Sequence, residues 1–302
     1  MPASDENLII ASEASAPAID LHIVDQLIEE RCQKIRRSLA WPFFRSILYP
    51  ILGYKKAVKM ADAIALLEGA DVFEYLSRLL DLNVEVKGLE HVPKDGRALV
   101  AMTHPTGIPD GVAVWDAISP VRDDITFFAN RDATRVAPNL EEMIIPVEWV
   151  EERRTRARSR ETLQGVVRAF TGERCVVLFP SGRIAFMNDD KKLVEQEWLN
   201  SVAIFARKYD SPIVPAHIVM RNSWLYYWFW DVNTELRDIT LFHELLNKAG
   251  KTFEIIFGPP IPASDLRGDP NQVTAALRVH AMEEVAKGEA WKPFAPRNPD
   301  QN

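Results

Sequence analysis

The sequence predicts an α/β fold, in which helices cover a central sheet, preceded by a helical segment that associates with a membrane. Three observations point to it. From about residue 82 onward, short β-branched runs alternate with helical stretches, as in α/β proteins. Hydrophobic residues make up 47% of the 302 residues, enough for a sizeable core. A basic, aromatic segment precedes the alternating region. We therefore divide the chain into a disordered tail (1–20), basic amphipathic helices (21–82) and an α/β domain (83–302).

The N-terminal tail carries no recognisable targeting signal. Its first 20 residues are small and acidic, and they lack the basic start and apolar run of a secretory signal. The longest stretch without a charged side chain, residues 98–109, is well short of the roughly 20 apolar residues that a spanning helix needs. We therefore predict no transmembrane span.

The segment 31–60 combines positive charge with aromatic side chains. It carries eight Lys or Arg residues and no Asp or Glu, and residues 41–54 between its basic clusters are large, apolar and aromatic. Each Lys or Arg near an anionic leaflet contributes at most about 1 kcal/mol, and Trp and Tyr favour the headgroup region. We predict that this segment contacts an anionic membrane surface. The alternative is a helix that packs on the domain with its basic face in solvent.

Charge and cysteine content exclude several classes of protein. Lys and Arg number 36 against 43 Asp and Glu, a net charge of −7, which argues against a dedicated nucleic-acid binder. The two cysteines, Cys32 and Cys175, are too few for a disulfide framework or a structural zinc site. A reducing, cytosolic compartment is the interpretation that fits.

The alternating region is predicted to contain six strands and four helices. Apolar or β-branched runs predict the strands, and apolar residues at three- and four-residue steps predict the helices. A proline inside the fifth strand, Pro215, favours an edge strand or a bulge. The predicted strands are 84–86, 98–102, 125–129, 176–179, 213–220 and 253–257, and the predicted helices are 112–118, 159–170, 194–209 and 272–287.

The loop after the strand 98–102 places a histidine near an aspartate. Residues 103–111 read Thr-His-Pro-Thr-Gly-Ile-Pro-Asp-Gly, so that five residues separate His104 from Asp110. A carboxylate that accepts a hydrogen bond from one ring nitrogen fixes the imidazole tautomer and leaves the other nitrogen free to take a proton. The alternative is that Asp110 caps the next helix and His104 is structural.

The loop after the strand 176–179 has the chemistry of an anion site. It reads Phe-Pro-Ser-Gly-Arg, and Ser181, Gly182 and Arg183 offer a hydroxyl, free backbone amides and a guanidinium. An arginine cluster over residues 153–160 precedes it in the chain. That cluster is interpreted either as part of the same anion site or as a solvated loop.

In this order the elements resemble the glycerophospholipid acyltransferase superfamily, typified by bacterial 1-acylglycerol-3-phosphate acyltransferase (PlsC-type). That family carries a His-x4-Asp block, an arginine block, Phe-Pro-Glu-Gly-Thr-Arg, and an apolar block with Val-Pro. The matching positions are His104 and Asp110, Arg153 or Arg154, residues 179–183, and Val214-Pro215. The first block is one residue longer here, Ser181 replaces the usual glutamate, and Arg183 stands one position early.

The resemblance implies a mixed central sheet and an O-acyltransferase. It implies His104 as general base, Asp110 as its orienting partner, and Ser181, Gly182, Arg183, Arg153 and Arg154 as groups that bind the acceptor. The donor would be acyl-CoA or acyl-carrier protein, the acceptor a lysophospholipid such as 1-acylglycerol-3-phosphate, with no cofactor and no metal. The enzyme would lie on the cytoplasmic face of the inner (plasma) membrane, peripheral or monotopic. The departures leave open a different lysolipid or amino-lipid acceptor, or a catalytically silent lipid- or phosphate-binding homologue.

A second aromatic stretch, residues 224–230, is dense in Trp and Tyr. It either lines an acyl-chain channel or touches lipid, or it packs over the sheet.

Overall fold

A computed structural model describes residues 21–148 and 153–293. The disordered tail predicted over residues 1–20 lies outside the described residues. Within the described residues, seven strands form the main sheet, and two short strands pair in a separate ribbon. The strands are β1 (Asn83–Lys87), β2 (Ala98–Met102), β3 (Ile125–Asn130), β4 (Ile144–Val147), β5 (Cys175–Leu178), β6 (Phe186–Met187), β7 (Leu193–Val194), β8 (Ile213–Val219) and β9 (Thr252–Phe257).

The order of the main sheet is β1-β9-β8-β2-β5-β3-β4. Only β8 and β9 run antiparallel within it, and every other neighbouring pair is parallel. The mixed central sheet is therefore confirmed. Strand β2 lies at its centre between β8 and β5, and all five of its residues are buried, as a central parallel strand requires.

Helices cover both faces of the sheet. Alternate residues of β2 point to opposite faces: Val100 and Met102 join one core, and Leu99 and Ala101 join the other. The helices are α1 (Ile23–Arg31), α2 (Gln33–Arg36), α3 (Trp41–Ile51), α4 (Tyr54–Ile64), α5 (Gly69–Leu80), α6 (Ile108–Ile118), α7 (Asp132–Val136), α8 (Arg156–Thr171), α9 (Ser201–Tyr209), α10 (Trp224–Val232), α11 (Thr234–Asp238), α12 (Leu241–Leu246) and α13 (Pro270–Val279). The first core includes residues of α1, α3, α4, α5 and α6, and the second includes residues of α8, α9 and α13.

Local sequence explains where several helices begin. The Thr155 hydroxyl accepts a hydrogen bond from the Arg158 amide at the start of α8, and Asp269 accepts two from the first turn of α13. Pro270 and Pro109 occupy first-turn positions, where a missing N–H interrupts no helical hydrogen bond.

All six predicted strands are present, within one residue at each end. Strand β4 was not predicted, because it is four residues long and contains Pro146. The helix predicted over 194–209 is wrong in its first part: residues 193–194 form β7, and α9 begins only at Ser201.

Pro215 does not mark an edge strand, since β8 lies between β9 and β2. The pairing with β9 is irregular at this point. Between the pairs Ile213–Ile261 and Ala216–Phe257, the β9 side has one residue more than the β8 side. The missing N–H of Pro215 falls in this bulge, and its carbonyl accepts from the Gly258 amide at 2.7 Å. A proline is therefore tolerated inside the sheet.

A buried carboxylate ties the N-terminal helices together. Asp25 on α1 is 4% exposed, and it accepts hydrogen bonds from Arg45 Nη2 at 2.8 Å, from the Tyr49 hydroxyl at 3.0 Å and from the Tyr54 hydroxyl. The two tyrosine rings stack at 4.3 Å between centroids. Burial, followed by contact with Asp25, raises the pKa of Tyr54 to about 12. The tyrosines therefore remain donors to Asp25 at neutral pH.

Replacing Asp25 with Ala should destabilise the protein by roughly 1–3 kcal/mol, because it leaves the buried Tyr49 hydroxyl and the half-buried Tyr54 and Arg45 without this acceptor. The free energy of unfolding in urea measures this loss. Asp62→Ala is the matched control, because Asp62 pairs with His22 on the surface and should change stability by less than about 1 kcal/mol. Equal stabilities for the two variants would contradict the importance of Asp25.

Candidate active site

The predicted site residues converge on one edge of the sheet. Strands β8, β2, β5, β3 and β4 are mutually parallel, so the loops that follow them leave at the same edge. His104 follows β2, and the Ser-Gly-Arg turn follows β5, its immediate neighbour. The two loops are joined directly, because the Ala185 amide donates to the His104 carbonyl at 2.9 Å.

His104 and Asp110 form a close pair. His104 Nδ1 lies 2.9 Å from Asp110 Oδ2, and the histidine side chain keeps 17% of its surface exposed while Asp110 has none. The distance suits a hydrogen bond, but the ring N–H is not aligned well enough with the carboxylate to form one. Catalytic hydrogen bonds often reach good alignment only when substrate is bound. The proximity expected from the sequence is therefore present.

Asp110 also organises the turn before α6. Its carboxylate accepts from the Thr106 amide at 2.8 Å, from the Gly107 amide at 2.9 Å and from the Thr106 hydroxyl. Helix α6 begins at Ile108, so Asp110 is not its N-cap but lies in its first turn. A carboxylate there is favoured by the helix dipole. The prediction that Asp110 is the N-cap is therefore wrong, although its carboxylate does accept from the amide of the N-cap residue, Gly107.

The His104 imidazole is supported by an aromatic ring. It stacks on Phe179, with ring centroids 4.1 Å apart and an interplanar angle of 25°. Phe179 follows β5 and is the first residue of the Phe-Pro-Ser-Gly-Arg block. Phe179 of this block thus covers one face of the imidazole, and Asp110 lies beside its Nδ1.

Within that block the three polar candidates have different environments. The Ser181 hydroxyl is buried, donates to the Arg183 carbonyl at 2.8 Å and accepts from the Arg183 amide. Gly182 has a φ of 60°, a left-handed conformation that favours glycine. The Arg183 side chain is exposed, and no described residue forms an ion pair with it. Arg183 is therefore available to an anion.

Arg153 and Arg154 bind other parts of the protein in this structure. Arg153 Nη1 lies 3.0 Å from Glu30 Oε2 on α1, and Arg154 Nε donates to the Glu148 carbonyl at 3.2 Å. Hydrogen bonds from Arg135 and Arg153 outweigh partial burial and lower the pKa of Glu30. Among the described residues, no hydrogen bond or ion pair joins either arginine to His104 or Asp110.

Two residues at this edge were missed by the sequence analysis. Glu195 is 2% exposed, and its carboxylate accepts a hydrogen bond from the His104 backbone amide at 3.0 Å. Arg131 directly follows β3; it pairs with Glu161 at 2.9 Å, while its Nε and Nη2 are buried and have no hydrogen-bond partner among the described residues. A basic residue straight after a predicted strand was a usable signal for Arg131. No local pattern pointed to Glu195.

Part of the sequence matches a known protein family. Residues 83–219 match the family model described as Acyltransferase. This region of the chain is an acyltransferase domain. The acyltransferase is 24% identical over 243 residues to a lyso-glycine lipid O-acyltransferase of Phocaeicola vulgatus, covering 76% of this chain and 85% of that protein. It is 25% identical over 251 residues to a lyso-glycine lipid O-acyltransferase of Bacteroides thetaiotaomicron, covering 79% of this chain and 90% of that protein.

A solved structure is also similar to the acyltransferase. It is the 1-acyl-sn-glycerophosphate (LPA) acyltransferase PlsC from Thermotoga maritima, at 15% identity and a TM-score of 0.43, with 82% of this chain and 90% of that chain covered. In the part of the acyltransferase that the structure describes, no helix has both the length and the apolar character to cross a bilayer. Over the same residues, no cluster of three or more His, Cys, Asp or Glu side chains has the arrangement of a metal site.

The turn between His104 and Asp110 depends on Gly107. Its φ of 95° is one that side chains rarely adopt, and an added Cβ would lie 2.8 Å from Ile184 Cδ1. We expect Gly107→Ala to cost roughly 1–3 kcal/mol in unfolding free energy and to lower acyl transfer. Gly111→Ala is the control, since Gly111 lies within α6 and an added Cβ meets no atom within 4 Å. Unfolding and turnover measured on both variants test this, and equal behaviour would contradict it.

Proposed function

We propose that the acyltransferase moves a fatty acyl group from an acyl thioester to a hydroxyl of a lysolipid, with His104 as general base and Asp110 as its orienting partner. The observation that carries the proposal is the 2.9 Å approach of His104 Nδ1 to the fully buried Asp110 carboxylate. Nδ1 faces the carboxylate, so Nε2 is the nitrogen left to accept a proton.

The reaction needs no cofactor in this scheme. The acceptor hydroxyl gives its proton to His104 Nε2 while its oxygen attacks the thioester carbonyl. The tetrahedral intermediate collapses, the C–S bond breaks, and the imidazolium returns the proton to the leaving thiolate. The products are an ester and free CoA or carrier-protein thiol. Asp110 supports the imidazolium electrostatically while the proton is held.

Direct transfer, without an acyl-enzyme, fits the nucleophiles of this chain. Burial is the main cause that raises the pKa of Cys175 to about 12 and that of Cys32 to about 11. Both thiols are buried and are poor thiolate nucleophiles at neutral pH. The Ser181 hydroxyl donates its proton to the Arg183 carbonyl at 2.8 Å, whereas a serine nucleophile donates it to a general base.

For the acceptor, we infer an amino-acid lipid whose head group is a carboxylate. The two curated relatives are named lyso-glycine lipid O-acyltransferases, and Ser181 replaces the glutamate usual in the third block. Arg183, exposed beside the Ser181–Gly182 turn, would hold the carboxylate by charge-assisted hydrogen bonds. Lysophosphatidic acid is the second candidate, favoured by the resemblance of the four blocks to 1-acylglycerol-3-phosphate acyltransferases.

A membrane would supply the lysolipid acceptor and take up the acylated product. Helix α3 exposes apolar side chains at four-residue steps: Phe43 is 66% exposed, and Ile47 and Ile51 lie on the same face. Three lysines of α4, Lys55, Lys56 and Lys59, are also exposed. An apolar face beside exposed lysines is typical of a helix that lies in an anionic membrane surface.

The acyl-transfer proposal is tested by thiol release. Wild type and His104→Ala are compared with acyl-CoA and acyl-carrier-protein donors, and with lyso-glycine lipid and lysophosphatidic acid as acceptors. We expect acceptor-dependent release that is highest with lyso-glycine lipid and falls by about 10²–10⁴ in His104→Ala through loss of the general base. His243→Ala, outside the dyad, should retain full activity. A folded His104→Ala variant with wild-type turnover would overturn the assignment of the base.

Membrane contact is tested by co-sedimentation with vesicles of phosphatidylcholine and phosphatidylglycerol. Phe43→Ser, Ile47→Ser and Ile51→Ser together should weaken binding on the order of 100-fold, because about 3 kcal/mol of apolar burial is lost. High salt should weaken wild-type binding by screening the lysines. Leu163→Ser with Val167→Ser, an exposed apolar pair on α8, is the matched control. Equal binding by both multiple variants would exclude α3 as the contact.

A further inference from the structure

A second buried carboxylate, that of Glu195, contacts the main chain of His104. Glu195 directly follows β7, and only 2% of its surface is exposed. Its Oε2 accepts from the His104 backbone amide at 3.0 Å, and its Oε1 accepts from Trp198 Nε1 at 3.4 Å. Burial raises the pKa of its carboxyl, against the lowering effect of the His104 amide and the Ser181 hydroxyl. A buried acid is retained at a cost, so its contacts need an explanation.

Glu195 is held in place from outside the site. Arg278 on α13 donates through Nε to the Gln196 carbonyl at 2.9 Å and to the Glu195 carbonyl at 3.2 Å. The Leu199 amide donates to the Pro180 carbonyl at 2.9 Å, which joins the segment after Glu195 to the third block. Hydrogen bonds therefore restrain the main chain that carries the Glu195 carboxylate.

The same carboxylate contacts both catalytic loops. It accepts a hydrogen bond from the His104 amide after β2, and it lies near enough to the Ser181 side chain after β5 for that group to lower its pKa. Ser181 occupies the position at which the family's third block has glutamate. A carboxylate missing from the chain at position 181 is thus present in space, supplied from 14 residues downstream.

We propose that Glu195 is a positioning residue for acyl transfer, which supplies from β7 the carboxylate absent at Ser181 and fixes the backbone of His104 against the third block. The inference rests on the proposed role of His104 as general base. Glu195 touches no reacting atom in this scheme. It acts through the His104 main chain, and a displacement of about 1 Å of a catalytic group costs on the order of 100-fold in rate.

The test compares three substitutions at position 195. Glu195→Ala removes the acceptor, Glu195→Asp withdraws it by one methylene, and Glu195→Gln retains an oxygen of the same reach. We expect Ala and Asp to lower kcat about 100-fold with KM for donor and acceptor changed less than about three-fold. Gln should keep kcat within about five-fold of wild type, because its amide oxygen still accepts from the His104 N–H. If Ala fails to fold, Asp and Gln carry the comparison.

Moving the carboxylate gives a second, independent result. Ser181→Glu alone places two acids together, and like charges disfavour each other, so activity should fall. In the Glu195→Ala background the same Ser181→Glu change should raise kcat at least about ten-fold. A purely structural glutamate gives no such reversal of sign.

One control and one readout independent of turnover complete the test. Glu254→Gln changes an acid paired with Lys87 on β1 and should leave kcat unchanged. Hydrogen exchange of the His104 amide should accelerate in Glu195→Ala and stay slow in Glu195→Gln. If His104→Ala is active while this exchange pattern holds, the proposed base fails and the positioning contact stands.

Two outcomes overturn the inference. One is a folded Glu195→Ala enzyme with kcat within about three-fold of wild type. The other is a folded Glu195→Gln enzyme no more active than Glu195→Ala, which would show that the acceptor oxygen is not what His104 requires.

Discussion

The buried carboxylate of Asp110 is the interaction on which the candidate site depends. A charge with no exposed surface must be compensated, and Asp110 finds its partners in the turn that it also shapes. Two backbone amides and one hydroxyl, from Thr106 and Gly107, point at it. The φ of 95° at position 107 is one that residues with a side chain rarely adopt. The turn from β2 into α6 therefore depends on glycine at this position. His104 is placed at Asp110 by this geometry.

The N-terminal helices are part of the same architecture. Asp25 gathers Arg45, Tyr49 and Tyr54 within the first four helices, and Glu30 pairs with Arg135 and Arg153 at the carboxyl edge of the sheet. The apolar residues of α1 and α4 enter the same core as one face of the sheet. The exposed face of α3 is therefore held at a fixed position relative to the catalytic loops. A surface proposed for lipid contact and a site proposed for lipid chemistry are then mechanically linked.

Local patterns in the sequence predicted what is locally encoded. Apolar runs such as 98–102 predicted the strands, and the spacing of His104 and Asp110 across a restricted turn predicted their proximity. Two kinds of feature were beyond such reasoning. Strand β4 and the interior position of β8 depend on sheet neighbours that tolerate Pro146 and Pro215. The partners of Glu195 and Arg153 lie 91 and 123 residues away, and no pattern within a window of sequence encodes such contacts.

Charge balance at the carboxyl edge bears on the acceptor. Arg153 is neutralised by Glu30, and Arg158 by Glu148, so two members of the arginine cluster are already engaged by the fold. The exposed Arg183 and the half-satisfied Arg131 remain with donors unused by the described residues. A phosphate monoester carries about 1.5 to 2 negative charges at neutral pH, whereas a carboxylate carries one and is matched by a single bidentate guanidinium. A single guanidinium therefore suffices for a carboxylate head group, whereas a phosphate calls for a second basic group, and this difference in charge is what separates lyso-glycine lipid from lysophosphatidic acid as acceptors.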